Sequence, residues 1–458
     1  MSLIDDLRAI VGADGVLDAD EVAGRQAGVW RSDRLAARAL VRPRGTGEVA
    51  AVLRYCHAHR QPVVTHGGLT GLVHGADATA DQLILSLERM RAIERVDPVQ
   101  RVAQVQAGAV LQAVQEAAEA RGLLFPLDLG GRGSATIGGN ASTNAGGNRV
   151  IRYGMTRDMV LGLEAVLADG TVVSSLNALI KNNAGYDLKH LFIGTEGTLG
   201  IITRLVLRLR EKPTTTNMAF AAFDDFNRIP AFLKHMDRRL GGTLSAFEVM
   251  WRSFYLLVTT PPAKGKPPVG RDHPYYALVE SQGSDRELDT RRFNAAMETA
   301  LAEGLIADAA IAQSDADCHD FWYLRDDVAQ IMERGTAAIF DISLPIAEME
   351  RYTRELDATL RAAIGEHRLL IFGHLGDGNL HLAVPTSPAT DAELRPKIEE
   401  AVYRGLAAFR GSVSAEHGIG LEKKPWLSIS RTPEEIALMR TLKAALDPLG
   451  LLNPGKVF

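Results

Sequence analysis

Cysteine is nearly absent. Cys56 and Cys318 are the only two in 458 residues. An iron–sulfur cluster normally takes four thiolates, so none is expected here. A disulfide framework is excluded too, and a reducing compartment is the simpler reading. An excess of basic charge is also missing: 51 Lys and Arg stand against 56 Asp and Glu, for a formal net charge of −5. A nucleic-acid binder needs a basic surface to displace counterions from phosphate, so that class is disfavoured. An acidic small molecule remains possible, because a few buried cations can serve it. No apolar run approaches the ~20 residues of a membrane span. The start, Met1-Ser-Leu-Ile-Asp-Asp-Leu-Arg8, has acids where a secretory signal has bases. The expected location is the cytoplasm, with membrane attachment at most through a partner. No internal repeat or low-complexity tract occurs.

What is present is too long for a single core, so two or three domains are expected. Residues 1–33 read as a helical lead-in. A strand–helix–strand pattern follows, with helical spacing over Glu48–His57 and a short buried strand at Pro62-Val-Val-Thr65. Apolar runs at Leu83–Leu87 and Val160–Leu167 lie between glycine clusters. The clusters stop near Pro213, which closes a domain over 34–213. From 214 to 420, strand-like stretches (Met218–Phe223, Tyr275–Ser281, Leu369–Phe372) alternate with amphipathic helices (Asp285–Glu303, Ala347–Ile364). Thr259–Pro268 is a loop, given its prolines and glycine. Residues 421–458 form a closing segment with a helix over 432–447. The class is α+β.

Three glycine clusters share the first domain: Thr65–Gly75, Gly133–Asn148 and Gly194–Ile201. Glycine lets backbone approach a ligand and offers N–H groups with no side chain in the way. None of the clusters matches the nicotinamide-dinucleotide or P-loop pattern. Any one of them alone reads better as a tight turn in a β-rich domain. Three together, interleaved with Ser, Thr and Asn donors, favour a long ligand carrying a pyrophosphate.

The second domain carries His374-Leu-Gly-Asp-Gly-Asn-Leu-His381 and then Ser414-Ala-Glu-His-Gly-Ile-Gly420. Histidines seven apart on an unbroken strand would face opposite ways. Gly376-Asp-Gly-Asn379 is a strong turn signal, so the chain can fold back and bring both imidazoles to one point. With Glu416 they make a common three-ligand set for catalytic zinc, and manganese or iron would suit the same atoms. By spacing alone the plainer reading, two hydrogen-bonded histidines near a turn, stays ahead.

Phe125-Pro-Leu-Asp-Leu129, Ile137-Gly-Gly-Asn140, Thr143-Asn-Ala-Gly-Gly147, Arg152-Tyr-Gly154 and Gly185-Tyr-Asp-Leu188 closely resemble one known pattern. It is that of the vanillyl-alcohol oxidase / p-cresol methylhydroxylase flavoprotein superfamily, in its D-lactate and D-2-hydroxyglutarate dehydrogenase branch. The resemblance runs from about Arg42 to Phe458. It implies a two-part FAD-binding domain of the p-cresol methylhydroxylase type, an antiparallel-sheet substrate (cap) domain, and a C-terminal helical segment returning to the flavin domain.

The resemblance also assigns roles. FAD would be held by 65–75, 126–147 and 194–201. The residues it marks are His66, Gly67, Gly68, Leu69, Thr70, Gly71, Pro126, Asp128, Gly133, Ser134, Ile137, Gly138, Gly139, Asn140, Thr143, Asn144, Gly146, Gly147, Glu196, Gly197, Gly200, Ile201, Asn379 and Asn453. Some members attach FAD through a histidine after the paired glycines. Leu69 stands there, with His66 and His74 elsewhere, so FAD is expected to be non-covalent. His374, His381 and Glu416 correspond to the metal ligands, His417 to the catalytic base that takes the substrate's hydroxyl proton, and Arg325 to the residue that grips its carboxylate. A surface ion pair of Arg325 with Asp326 or Asp327 is the lesser reading. The implied reaction is hydride transfer from a D-2-hydroxy acid to flavin N5.

Three substrate-binding places depart from the D-2-hydroxyglutarate pattern. Ala329, Ile339 and Ala383 stand where threonine, lysine and asparagine would be. A second carboxylate would lack partners there, so D-lactate or another acid with an apolar side chain is expected. Arg334 or another cation reaching in from elsewhere would be needed to serve it. Electrons would pass to a cytochrome, a quinone or an electron-transfer flavoprotein, and a homodimer is a family-level expectation. Rival readings are D-2-hydroxyglutarate dehydrogenase itself, the non-redox alkylglycerone-phosphate synthase branch, and a non-catalytic flavin subunit.

Overall fold

The structure is a computed structural model that describes residues 3–333 and 335–458. Arg334 therefore lies outside the described residues. The chain divides into two compact units. One runs up to Gly147, resumes over Gly154–Lys212 and closes with Glu416–Phe458; the other comprises Asn148–Tyr153 and Pro213–Ala415.

The first unit holds two main sheets. In the smaller, the strands Val16–Asp18, Ala39–Val41, Leu83–Ser86 and Val63–His66 lie in that order, the last three parallel. Helix Thr46–His59 carries the chain between two of them, as parallel pairing requires. These parallel strands are almost wholly buried, which is why they read as plain apolar runs rather than alternating ones. Leu452 bridges to Val63, so the C-terminal segment extends this sheet. The larger sheet is antiparallel, in the order Val172–Ser175, Val160–Val166, Ile201–Arg208, Val102–Gln106, Ile93–Asp97.

The lead-in departs from expectation. It is not a helical appendage: helices Leu3–Val11 and Ala19–Ala23 flank the strand Val16–Asp18, which pairs with Ala39–Val41, and Gln26–Gly28 pairs with Arg31–Arg34. Gly12, Gly15, Gly24 and Gly28 interrupt the helical spacing. Strands of three or four residues are too short to show a period of their own.

The second unit is built on one antiparallel sheet of seven strands. Its order is Asp308–Ile311, Thr215–Phe223, Tyr275–Gly283, Leu244–Trp251, Leu370–His374, Asn379–Pro385, Ala337–Ser343. Side chains alternate between faces. Phe223 and Phe247 pack against Phe232 of helix Arg228–Leu240 on one face. On the other, Phe220, Leu278, Met250, Phe372, Leu370 and Ala383 form an apolar cluster with Phe254, Tyr255, Phe321 and Leu324. The candidate site grows out of that second face.

Candidate active site

The pairing register places titratable groups beside the apolar cluster. Glu248 lies opposite His374, and Asp341 lies opposite His381. His374 ends its strand; a single turn, Leu375–Asp377, and Gly378 at φ +85° reverse the chain, and Asn379–Pro385 returns antiparallel. This hairpin does what the Gly-Asp-Gly-Asn signal suggested. The Nε2 atoms of His374 and His381 come to 3.4 Å, with the rings at 84°. Two nitrogen ligands of a tetrahedral zinc, each ~2.0–2.1 Å from the ion, stand about 3.3 Å apart. The donor pair therefore fits a metal.

His374 is held from behind. Its Nδ1 lies 2.7 Å from Glu248 Oε1, and Arg325 Nε donates to Glu248 Oε2 at 2.7 Å. Arg325 Nη2 lies 3.2 Å from His374 Nε2, and its guanidinium sits over the Phe372 ring at 5.2 Å. Glu248 is fully buried. Burial alone would raise its pKa, but the hydrogen-bonded His374 and Arg325 beside it outweigh that and hold the carboxyl below its ordinary range. Arg325 is buried, and its contact with Asp326 is only 3.7 Å, so Glu248 is its main ion-pair partner. Asp341, also fully buried, accepts from Asn379 Nδ2 at 2.8 Å and from the Ala415 N–H at 3.1 Å; its Oδ1 is 4.0 Å from His381 Nδ1. Asn379 Oδ1 is buried with no protein partner.

The substrate-pocket positions divide. Ile339 lies opposite Ala383, and Ala383 opposite Leu370, on the face that carries Asp341 and His381. Ala383 is fully buried in the apolar cluster and Ile339 is exposed. Ala329 lies beyond the helix that carries Arg325, Asp315–Asp326, and sits exposed in the turn Val328–Ile331.

In the first unit the glycine clusters meet. A Cβ on Gly68 would lie 2.0 Å from the Ser134 carbonyl oxygen, so only glycine lets the first loop press against the second. Among the described residues, no protein group accepts from the N–H groups of Gly67, Gly68, Leu69, Thr70 or Gly71. Successive unused amides in a turn make an anion cradle suited to a pyrophosphate. Thr65 Oγ1 and Asn140 Oδ1 are buried without a protein partner. These features fit FAD. Several side chains marked for the cofactor have protein partners, Asp128, Thr143, Asn144 and Asn379 among them. His66 turns inward, its Nε2 2.7 Å from the Ala76 carbonyl, and burial pushes its pKa down to about 4. Asn453 Oδ1 accepts from the Thr65 N–H. Glu196 accepts from the N–H groups of Ile419 and Gly420 at 2.7 and 2.8 Å, and burial raises its pKa despite those bonds.

Glu416 and His417 follow Ala415, the last residue of the second unit, and precede the Ile419–Gly420 pair held by Glu196. Each end of this short stretch is thus fixed by a buried carboxylate. Sequence reasoning missed Glu248 and Asp341. Their signal was a lone carboxylate inside an apolar strand, in Ala246-Phe-Glu-Val and Ile339-Phe-Asp-Ile.

Comparisons with known proteins bear on the family and the fold. Residues 37–175 match the model of an FAD binding domain, and residues 212–457 match that of the C-terminal domain of FAD linked oxidases. The mitochondrial D-2-hydroxyglutarate dehydrogenase of Bos taurus is 42% identical over 459 residues, covering 99% of this chain and 83% of its own. The D-2-hydroxyglutarate dehydrogenase of Xanthomonas citri pv. viticola is 41% identical over 424 residues, covering 92% and 89%. Among solved structures, p-cresol methylhydroxylase with substrate bound superposes with a TM-score of 0.77 at 17% identity, covering 99% of this chain and 96% of that one, a likeness of fold. Among the described residues, no helix is long and apolar enough to cross a membrane.

Proposed function

This chain belongs to the FAD-linked oxidase family and is an FAD-dependent oxidoreductase, and on that premise we propose that it is a metal-dependent dehydrogenase that oxidises a D-2-hydroxy acid with an apolar side chain to the 2-oxo acid. The observation that carries this reading is the His374–His381 pair, 3.4 Å apart at Nε2, with a buried arginine at its side. Glu416 completes the proposed metal ligand set. When bound, non-covalent FAD would supply a two-electron acceptor and the metal, zinc with manganese or iron as alternatives, would supply positive charge against which the substrate hydroxyl is polarised.

The chain's own residues do the rest. Arg325, its Nε held by Glu248 and its Nη2 3.2 Å from His374 Nε2, is the cation proposed to meet the substrate carboxylate. His417 takes the hydroxyl proton, a task suited to an imidazole near neutral pH. The Gly67–Gly71 amides would bind the pyrophosphate of FAD.

The apolar row Ile339–Ala383–Leu370 supports D-lactate or a larger apolar acid, because none of its side chains offers a polar partner to a second carboxylate. D-2-hydroxyglutarate is the second reading, favoured by the relatives. Electrons leave to a cytochrome, quinone or electron-transfer flavoprotein, and the cytoplasm is the location this reading assigns. The deciding experiment is anaerobic bleaching of the flavin by D-lactate, longer apolar D-2-hydroxy acids and D-2-hydroxyglutarate, with L-enantiomers and a chelated sample as controls. Bleaching by apolar D-acids, lost on chelation, is expected. Best bleaching by D-2-hydroxyglutarate would replace the first substrate reading with the second; no bleaching by any hydroxy acid would overturn both.

A further inference from the structure

We infer that Glu248 is a positioning residue that holds a metal-binding imidazole and the substrate-gripping guanidinium as one unit. The inference rests on the dehydrogenase reading above. A carboxylate only accepts, so Glu248 Oε1 at 2.7 Å obliges His374 Nδ1 to carry the proton. Nε2 is then the ring nitrogen with the lone pair, and it is the one aimed at His381. Oε2 accepts from Arg325 Nε at 2.7 Å, which orients the guanidinium and brings Nη2 to 3.2 Å from that same Nε2. The two oxygens thus set two functional groups at once. Their support is a central strand of the sheet, with Glu248 directly opposite His374, so little freedom remains.

Stability alone does not account for this arrangement. A buried ion pair is often no more stabilising than apolar residues of the same volume. Here the surrounding face is already apolar and would accept them. Carboxylates behind a ligating histidine fix its tautomer and raise its basicity, and their loss typically weakens metal binding 10- to 100-fold. The same face supplies an internal control. Glu280 is equally buried, but its partners are Arg149, Trp322 and Ser245, none of them a proposed ligand. A role in holding the fold predicts like behaviour for both carboxylates; a role at the metal separates them.

The test uses the flavin-loaded protein, stripped of metal by a chelator and titrated with zinc against a chromophoric competitor. Glu248→Gln should keep its flavin, bind zinc 10- to 100-fold more weakly and raise the KM for D-lactate. Glu280→Gln should lower the melting temperature and bind zinc as the wild type does. Glu248→Asp keeps the charge beside Arg325 and should fold where the glutamine variant does not, with a zinc loss in the same direction from its shorter reach. Wild-type zinc affinity in both Glu248 variants overturns the inference and leaves the dehydrogenase reading standing. Equal losses in the Glu248 and Glu280 variants overturn it too, by exposing a general effect of destabilisation. Failure of the wild type to take up zinc removes the metal site, and both readings fall together.

Discussion

Ile339 and Ala383 face each other across neighbouring antiparallel strands, one pleat from the Asp341–His381 pair. Both stand where the D-2-hydroxyglutarate pattern calls for polar side chains. The double variant Ile339→Lys/Ala383→Asn should therefore shift preference toward D-2-hydroxyglutarate. A distal carboxylate would gain a cation and an amide, while an apolar substrate would lose contact and leave both unpaired. The ratio of kcat/KM for D-2-hydroxyglutarate over D-lactate should rise at least about tenfold. Ile339 is exposed, so lysine is tolerated there; Ala383 is fully buried, so asparagine alone should cost stability. An unchanged ratio in a folded double variant would place the specificity pocket elsewhere.

His417→Ala separates binding from chemistry. The variant should retain yellow, bound FAD and wild-type zinc, because neither the loop amides nor the proposed ligands are touched. Turnover should fall by roughly 10²–10⁴, the usual contribution of a positioned base. His381→Ala should do the reverse on the metal side, abolishing zinc uptake while FAD stays. Steady-state rates alongside flavin absorbance and metal analysis check both, and normal turnover in the His417 variant would strip that residue of its role.

How much of this was legible follows from the range of each interaction. Helix Thr46–His59 and strands Val63–His66 and Thr215–Phe223 declare themselves through local periodicity or apolar runs. The His374–His381 hairpin is legible because Gly376 to Asn379 can do little else but turn. Glu248 is another matter. It is 126 residues from His374 along the chain and meets it only through strand pairing that no local pattern reveals. The same holds for Glu196, whose glycine-rich surroundings point to the cofactor while its carboxylate goes to Ile419 and Gly420. Short strands at the N-terminus were unreadable for a simpler reason: three residues carry no period.

Arg149 offers a test of packing in the second unit. Its guanidinium makes two hydrogen bonds to the buried Glu280 carboxylate, at 2.9 and 3.0 Å, and lies 5.8 Å from the Trp322 ring. Removing one member of such a pair leaves a buried charge uncompensated, at a cost of about 3 kcal/mol. Arg149→Ala should accordingly lower the melting temperature by roughly 10 °C. Arg149→Ala/Glu280→Gln should recover part of that loss, since the stranded charge is gone. Calorimetry on the four proteins of this cycle measures the coupling; strict additivity would mean the pair contributes nothing beyond its separate members.

His66 predicts how the first unit responds to acid. Its ring is buried, Nε2 donates to the Ala76 carbonyl, and burial lowers its pKa from the ordinary 6.5 to about 4. The folded form thus binds its proton less readily than the unfolded chain. Between pH 6.5 and about 4 the unfolded chain holds a proton that the folded protein lacks, so stability rises with pH across that window and is lost as pH falls through it. The full effect is roughly 3 kcal/mol. Protonation would also add a second donor and a charge behind Gly67 and Gly68, at the start of the pyrophosphate loop. FAD release should therefore follow the same pH window. His66→Gln keeps an N–H for the Ala76 carbonyl and does not titrate. Its urea midpoint should fall less between pH 7 and pH 4.5 than that of the wild type, and its FAD should be retained to lower pH. Parallel midpoints for the two proteins would show that the acid response arises from other groups.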